Sequence, residues 1–382
     1  FIMSKINVRS FSNENEDGAP DLVGISTFSA TSFFVPTVGT TAQRPSDHVE
    51  VGSIRYNTDT KNLEYYRGKT IGWSSFELID PDLGGGTGSN TGLGGRAVRA
   101  GGQTPSHTDV IDFFTISTLG DAQDFGDLTL SRFGMGGAAS RSRGLFMGGA
   151  TPVRSDTIDF VTIASIGDAT DFGNLLSNNA TTGGSSSTRA FTMGGSTPAT
   201  TNVIQYVTIA STGDAQDFGD ISTSGLESFR ITTSSTRGVT AGGYVSPTFT
   251  NVMEFITISS KGDSQDFGDF SRSVYAPAHT GNSVRGIIAG GYTPSAQSDI
   301  DYYTIATLGN TVDFGGDLAT ASGGAMGSGS DPTRACMFGL TTSSNVIQYI
   351  QIASTGIDGS DFGDLTGVCT NVGDFSNTHG GL

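Results

Sequence analysis

A seven-residue segment recurs six times along this chain of 382 residues, and no other feature constrains the fold as tightly. The first five copies are Arg96-Ala-Val-Arg-Ala-Gly-Gly, Arg143-Gly-Leu-Phe-Met-Gly-Gly, Arg189-Ala-Phe-Thr-Met-Gly-Gly, Arg237-Gly-Val-Thr-Ala-Gly-Gly and Arg285-Gly-Ile-Ile-Ala-Gly-Gly. The sixth, Arg334-Ala-Cys-Met-Phe-Gly-Leu, loses its second glycine. A second marker, Asp-Phe-Gly, follows each copy, with its phenylalanine at Phe125, Phe172, Phe218, Phe267, Phe314 and Phe362. The spacings between these phenylalanines are 47, 46, 49, 47 and 48 residues. Such a period implies one supersecondary unit repeated, because a single unit cannot bury its apolar face alone.

Each unit reads as β. The runs 110–116, 157–163, 203–209, 252–258, 300–305 and 346–352 are β-branched and aromatic, lack Pro and Gly, and partly alternate with polar residues. Gly120, Gly167, Gly213 and Gly262, each followed by Asp, mark turns after them. A third strand runs through Asp-Phe-Gly-Asp-Leu, and a weaker fourth lies in stretches such as 131–139 and 274–279. Four short strands per unit match the size of a propeller blade. The first unit begins at its Gly-Gly strand, whereas the last continues into 367–375, so the C-terminal strand is expected to complete the first blade and remove both exposed edges.

The repeat resembles kelch, in which a Gly-Gly strand, a strand bearing Tyr and a strand bearing a large aromatic follow in that order. Gly242-Gly243, Phe255 and Phe267 stand in this order, as do Gly290-Gly291, Tyr302 and Phe314. The chain departs at the last aromatic, where kelch has Trp; its one Trp, Trp73, lies outside the repeats. The resemblance implies an all-β fold: a six-bladed kelch-like β-propeller over 96–382, closed by the C-terminal strand. A Gly-rich linker, 84–95, precedes it, and 1–83 forms a small N-terminal β-meander with strands at 51–57, 62–67 and 73–79. Gly39-Thr-Thr-Ala-Gln-Arg-Pro, Gly52-Ser-Ile-Arg-Tyr-Asn-Thr-Asp-Thr and Leu63-Glu-Tyr-Tyr are similar to a module of bacteriophage tail-fibre and other virion proteins. The repeats also resemble those in virion proteins of phages infecting marine cyanobacteria. This resemblance implies a virion protein, assembled in the host cytoplasm, that docks on other virion proteins through 1–83 and is expected to be a homo-oligomer.

Charge narrows the partners. With 37 Asp and Glu against 20 Lys and Arg, the net charge is −17, so neither nucleic acid nor anionic lipid is an expected partner. No apolar run reaches the roughly 18 residues of a membrane span, so membrane insertion is not expected. Met3 reads as a natural start without a secretory leader. Cys336 and Cys369 cannot form a disulfide framework and read as free buried thiols rather than as a bridge.

The remaining motifs favour scaffold over chemistry. Asp-Phe-Gly is a kinase signature only with its phosphate loop, Lys and catalytic loop, and six copies in equivalent places are structural. Asp121, Asp124 and Asp127, with parallels at Asp214, Asp217, Asp220 and at Asp263, Asp266, Asp269, could gather oxygens for calcium; turn-capping by Asp is the preferred reading, and no metal or cofactor is expected. The recurrent Arg143, Arg189, Arg237, Arg285 and Arg334 suggest ion pairs between blades with the turn aspartates. The histidines His48, His107, His279 and His379 are too scattered for a copper site. Glu227 and Glu254, the sole glutamates of the repeats, do not define a glycosidase pair, so no enzyme is expected.

The loops after each Gly-Gly vary most, and function on a rigid scaffold concentrates in such loops. Candidate binding residues there are Gln103, His107, Tyr244, Phe249 and Tyr292, the tyrosines being suited to stack on a sugar. The reading is a phage appendage, of tail-fibre or adhesin type, whose propeller loops bind a host surface glycan or envelope protein without catalysis. The alternatives are a capsid decoration, neck or baseplate component making only protein contacts, and, less favoured, a polysaccharide-degrading enzyme. A cellular kelch scaffold is disfavoured by the N-terminal module.

Overall fold

The computed structural model describes residues 36–46, 49–60, 62–75, 94–103, 105–197, 199–323, 326–340 and 344–382. The chain is all-β, with no α-helix among the described residues and one 3-10 turn, Thr41–Gln43. It divides into two compact units, Phe1–Ile79 and Asp80–Leu382.

Among its described residues, the first unit contains four strands where three were expected. Ile54–Asn57, Asn62–Tyr66 and Trp73–Ser75 form the antiparallel meander, and Thr37–Gly39 pairs with Ile54–Asn57 in parallel. The added strand was illegible because three residues carry no period. Its attachment depends on contacts distant in sequence: Arg55 donates to the Thr40 carbonyl at 3.0 Å, and Asn57 donates to the buried Glu64 at 2.7 Å. Positions 76–79 of the expected third strand, and nearly all of the 84–95 linker, lie outside the described residues.

Among its described residues, the second unit contains six main sheets that repeat one antiparallel four-strand path, beside two short two-stranded hairpins. The second sheet is typical: Gly136–Ala139 innermost, then Arg143–Met147, Thr157–Thr162 and Thr170–Asn174 outermost. The third to sixth sheets begin at Ala180–Ser185, Arg230–Thr233, Ala278–Gly281 and Gly327–Ser330. The strand before each recurrent Arg thus belongs to the sheet of that Arg. In the first sheet this innermost place is taken by Gly373–Ser376, which pairs with Arg96–Ala100.

The markers have distinct physical jobs. The Asp-Phe-Gly phenylalanine is buried and packs edge-on against an aromatic of its neighbouring strand, as in Phe113–Phe125 (5.7 Å, 85°) and Tyr302–Phe314 (6.2 Å, 84°). On that same aromatic lies the recurrent arginine, with Arg96 4.6 Å from the Phe113 centroid and Arg285 4.3 Å from that of Tyr302. The motif's glycine is required by close approach. A Cβ on Gly126 would stand 2.6 Å from the backbone of Gly167 in the next sheet, and its φ of +144° disfavours any other residue.

Three sets of hydrogen bonds join each sheet to the next, and each set returns from the sixth sheet to the first. The recurrent arginines donate to an isoleucine carbonyl of the following sheet, from Arg96 to Ile163 (2.5 Å) round to Arg334 to Ile116 (2.9 Å). This corrects the expected ion pairs: among the described residues, Arg143, Arg189, Arg237, Arg285 and Arg334 form none. The turn aspartates are engaged instead by outer-strand N–H groups, as in Asp127 N to Asp168 Oδ1 at 3.1 Å and Asp364 N to Asp121 Oδ1 at 3.0 Å. Asn310 stands in for Asp in the fifth sheet and accepts from Asp269 N at 2.9 Å. The third set uses a buried acceptor in the third strand of every sheet: Asp112, Asp159, Gln205, Glu254, Asp301 and Gln348. Each accepts from the segment leaving the preceding sheet, for example Leu176 N to Gln205 at 2.7 Å and Thr366 Oγ1 to Asp112 at 2.6 Å.

The apolar core is divided in the same way. Six clusters of buried side chains each draw on two neighbouring sheets, the last pairing sheet six (Phe338, Ile347, Phe362) with sheet one (Ala97, Phe114, Ile116). Cys336 and Cys369 lie in that last cluster, free and buried, with burial pushing both thiols up. The innermost strands also contact one another in cyclic order. They can converge because they are built largely from Gly, Ala, Ser and Thr, as in Gly136–Ala139 and Gly327–Ser330.

Candidate functional site

Two cavities lie where the six sheets converge. The inner one, about 60 Å³, is lined by innermost strands of every sheet and by the C-terminal tail. In that tail, His379 bridges three sheets: its Nε2 lies 3.0 Å from the Ala139 carbonyl and 3.1 Å from Ser185 Oγ, and its Nδ1 lies 3.2 Å from Thr233 Oγ1.

The outer cavity, about 560 Å³, falls within the size range of small-molecule sites. Residues in or beside five of the six sheets line it, including three of the candidate binding residues, Tyr244, Phe249 and Tyr292. Tyr275 joins them as a wall around the Phe249 ring, whose centroid lies 5.8 Å from Tyr244, 6.3 Å from Tyr275 and 6.1 Å from Tyr292. Short pairings fix this wall. Tyr244–Val245 and Thr248–Phe249 form a hairpin, and Tyr275 and Tyr292 exchange backbone hydrogen bonds at 3.0 Å. Among the described residues, the hydroxyls of these three tyrosines make no hydrogen bond within the chain.

Gln103 and His107 do not line this cavity. Gln103 is tied by its backbone to Thr370 (2.9 Å), and the His107 ring packs 4.7 Å from Phe133, which does line it. Sequence reasoning missed Tyr275, Arg154, Glu227 and Arg230, all lining residues. Three of them, Glu227, Arg230 and Tyr275, precede or open an innermost strand and so fall outside the variable loops after Gly-Gly. A local signal does mark that place: the backbone turns left-handed two residues before these strands. Gly134 has φ +66°, and the non-glycine residues Ser228, Ala276 and Asn371 have φ +55°, +50° and +57°. All four line the cavity. A non-glycine residue held in this region costs about 1–3 kcal/mol, and such strain gathers at functional sites.

The site's electrostatics are mixed. Arg154 donates to Ser196 Oγ at 2.7 Å, and Arg230 opens its strand with Asp374 Oδ1 4.0 Å away. Asp374 also accepts from Ser328 N at 2.9 Å; burial pushes its carboxyl up, partly offset by Arg230. Glu227 is the one carboxylate among the lining residues, whereas the usual glycosidase arrangement needs two. Glu254 lies elsewhere, buried, accepting from Ser222 Oγ (2.9 Å), Thr223 N (2.8 Å) and Ser264 Oγ (2.5 Å). Among the described residues, no group of three or more His, Cys, Asp or Glu is placed to hold a metal ion.

His279 lines the inner cavity. It is 3% exposed, with Nδ1 3.1 Å from the Arg230 carbonyl and Nε2 2.8 Å from Tyr303 Oη. Burial lowers its pKa to about 4, below the roughly 6.5 of the unfolded chain. Between those values the unfolded state binds a proton that the folded state refuses, so the histidine's contribution to stability falls as pH drops through this window. His279→Gln is expected to cost stability at pH 7, and that deficit to shrink by about 2–3 kcal/mol at pH 4.5. Urea titrations of both proteins at the two pH values check this; a deficit independent of pH rules it out.

No family model matches the chain, and no curated protein matches it.

Proposed function

We propose that this chain is a non-enzymatic attachment protein of a bacteriophage particle. In this reading the six sheets are the blades of a kelch-like six-bladed propeller, the N-terminal unit docks on other virion proteins, and the outer cavity binds a host surface glycan or protein. The observation that carries it is the aromatic wall of Tyr244, Phe249, Tyr275 and Tyr292 held over left-handed backbone at Gly134, Ser228, Ala276 and Asn371. Rigid aromatics with free hydroxyls suit stacking on a sugar ring with hydrogen bonding at its edge. Several copies per particle would convert weak single sites into firm attachment.

The test combines location with binding. Gold-labelled antibody against the second unit is expected at the tail or fibres of intact particles. The Tyr244→Ala/Tyr292→Ala protein is expected to bind host cells at least ten-fold more weakly than the parent. Label over the head, with no tyrosine effect on cell binding, would favour a decoration or connector role and end the attachment reading. Protein absent from purified particles would end the virion reading.

A further inference from the structure

We infer that the outer cavity selects an acidic sugar and that Arg230 is the residue that meets its carboxylate; this rests on the glycan-binding reading above.

Arg230 is paired differently from three other arginines of the second unit. Arg99, Arg132 and Arg272 each form a close ion pair, with Asp112, Asp159 and Asp301, and each also donates to a backbone carbonyl. Arg230 does neither. Its side chain is 13% exposed, its nearest anion is Asp374 at 4.0 Å, and among the described residues its guanidinium makes no hydrogen bond. Its nitrogens are not among the buried side-chain atoms without a partner, so its unused donors meet solvent and are open to an acceptor that enters from there. Arg230 is a lining residue of the outer cavity.

Asp374 does not fill that role. One of its oxygens is held by Ser328 N, and the other stops short of the guanidinium. The planar fork of arginine matches a carboxylate with two parallel hydrogen bonds, which a neutral hydroxyl cannot reproduce. The lining contains Arg154 and Arg230 with Glu227, and Asp374 stands 4.0 Å from Arg230, in a chain whose net charge is −17. The aromatic wall supplies the remaining recognition, since a sugar presents C–H faces for stacking whatever acid it carries. Size is compatible, because a cavity of about 560 Å³ accommodates one or two sugar rings.

The experiment is calorimetric titration of the full chain with a galacturonic acid trisaccharide and the matching neutral galactose trisaccharide. The acidic sugar is expected to bind at least ten-fold more tightly. Arg230→Gln is expected to remove that preference and leave the neutral sugar unchanged, whereas Tyr292→Ala weakens both. Should Arg230→Gln fail to fold, as judged by its melting curve, Arg230→Lys serves: it keeps the charge, loses the fork, and is expected to narrow the ratio between the sugars. Equal affinity of the parent for the two sugars, or a ratio untouched by either Arg230 variant, overturns the inference; if both affinities still fall in Tyr292→Ala, glycan binding survives. Neither sugar binding while host-cell attachment remains sensitive to Tyr292 also overturns it and points to a protein receptor. Loss of all attachment sensitivity sinks the function proposed above instead.

Discussion

Removing Gly373–Leu382 is expected to abolish cooperative folding of the second unit. The deletion strips the first sheet of its innermost strand and exposes the edge of Arg96–Ala100. It also removes Phe375, whose ring packs 5.0 Å from Phe146 in the second sheet; truncation of a buried Phe alone costs about 3–5 kcal/mol. Further losses are the Ser376–Ser330 hydrogen bond at 2.7 Å and the three-sheet bridge of His379. Set against a typical total stability of about 5–15 kcal/mol, these losses exceed what one unit can absorb. A circular permutant separates the strand from its position in sequence. Arg96 N donates to Asn377 Oδ1 at 2.7 Å and Asn377 N to the Arg96 carbonyl at 3.1 Å, so the two ends already stand as a hairpin. Placing 367–377 directly before Arg96 through a short turn is expected to restore a sharp urea transition. A deletion mutant that melts like the parent would sink the argument.

Asp159→Leu is expected to cost about 3–5 kcal/mol, because it leaves a buried guanidinium without its counter-ion. Arg132 and Asp159 are both fully buried, 2.9 Å apart, and Asp159 additionally accepts from Thr129 Oγ1 at 2.7 Å. Burial already depresses the Arg132 pKa, and Asp159 opposes that shift. The double variant Arg132→Met/Asp159→Leu is expected to recover most of the loss, since apolar replacement of a whole buried pair is often neutral or better. Urea midpoints of the parent, both single variants and the double form a cycle that isolates the coupling. A single-variant loss below about 1 kcal/mol contradicts the account.

The contrast between what was legible in the repeats and what was not follows from how each contact is encoded. Phe125 and its equivalents, the close-approach glycines and the recurrent arginines have the same surroundings six times over, so their period was visible. The partner of the arginine was not. Arg and Asp both recur, and charge alone suggested pairing, but Arg143 points along its own sheet over Phe160 to the Ile209 carbonyl, while Asp168 sits at an outer turn and receives the Asp127 N–H. The buried acceptors Asp112, Gln205 and Glu254 were overlooked for the opposite reason. Between apolar neighbours in a strand they read as an ordinary solvent face, and only the sheet packed against them makes that face interior.

By itself the sequence determined the repeating β unit, its count of six, and the aromatic and glycine positions that let one unit stack on the next, because these depend on local periodicity. The sequence also pointed to the C-terminal strand as the one that completes the first sheet, the place Gly373–Ser376 takes. Tertiary structure alone decided which sheet receives each hydrogen bond and that Tyr244, Phe249, Tyr275, Tyr292 and Arg230 share one cavity. Tyr244 and Tyr292 hold equivalent places after Gly-Gly in the fourth and fifth repeats, whereas Arg230, Phe249 and Tyr275 are not marked by the recurring motifs; they meet because these two neighbouring repeats lie side by side and bring the Phe249 ring against Tyr275 and Tyr292.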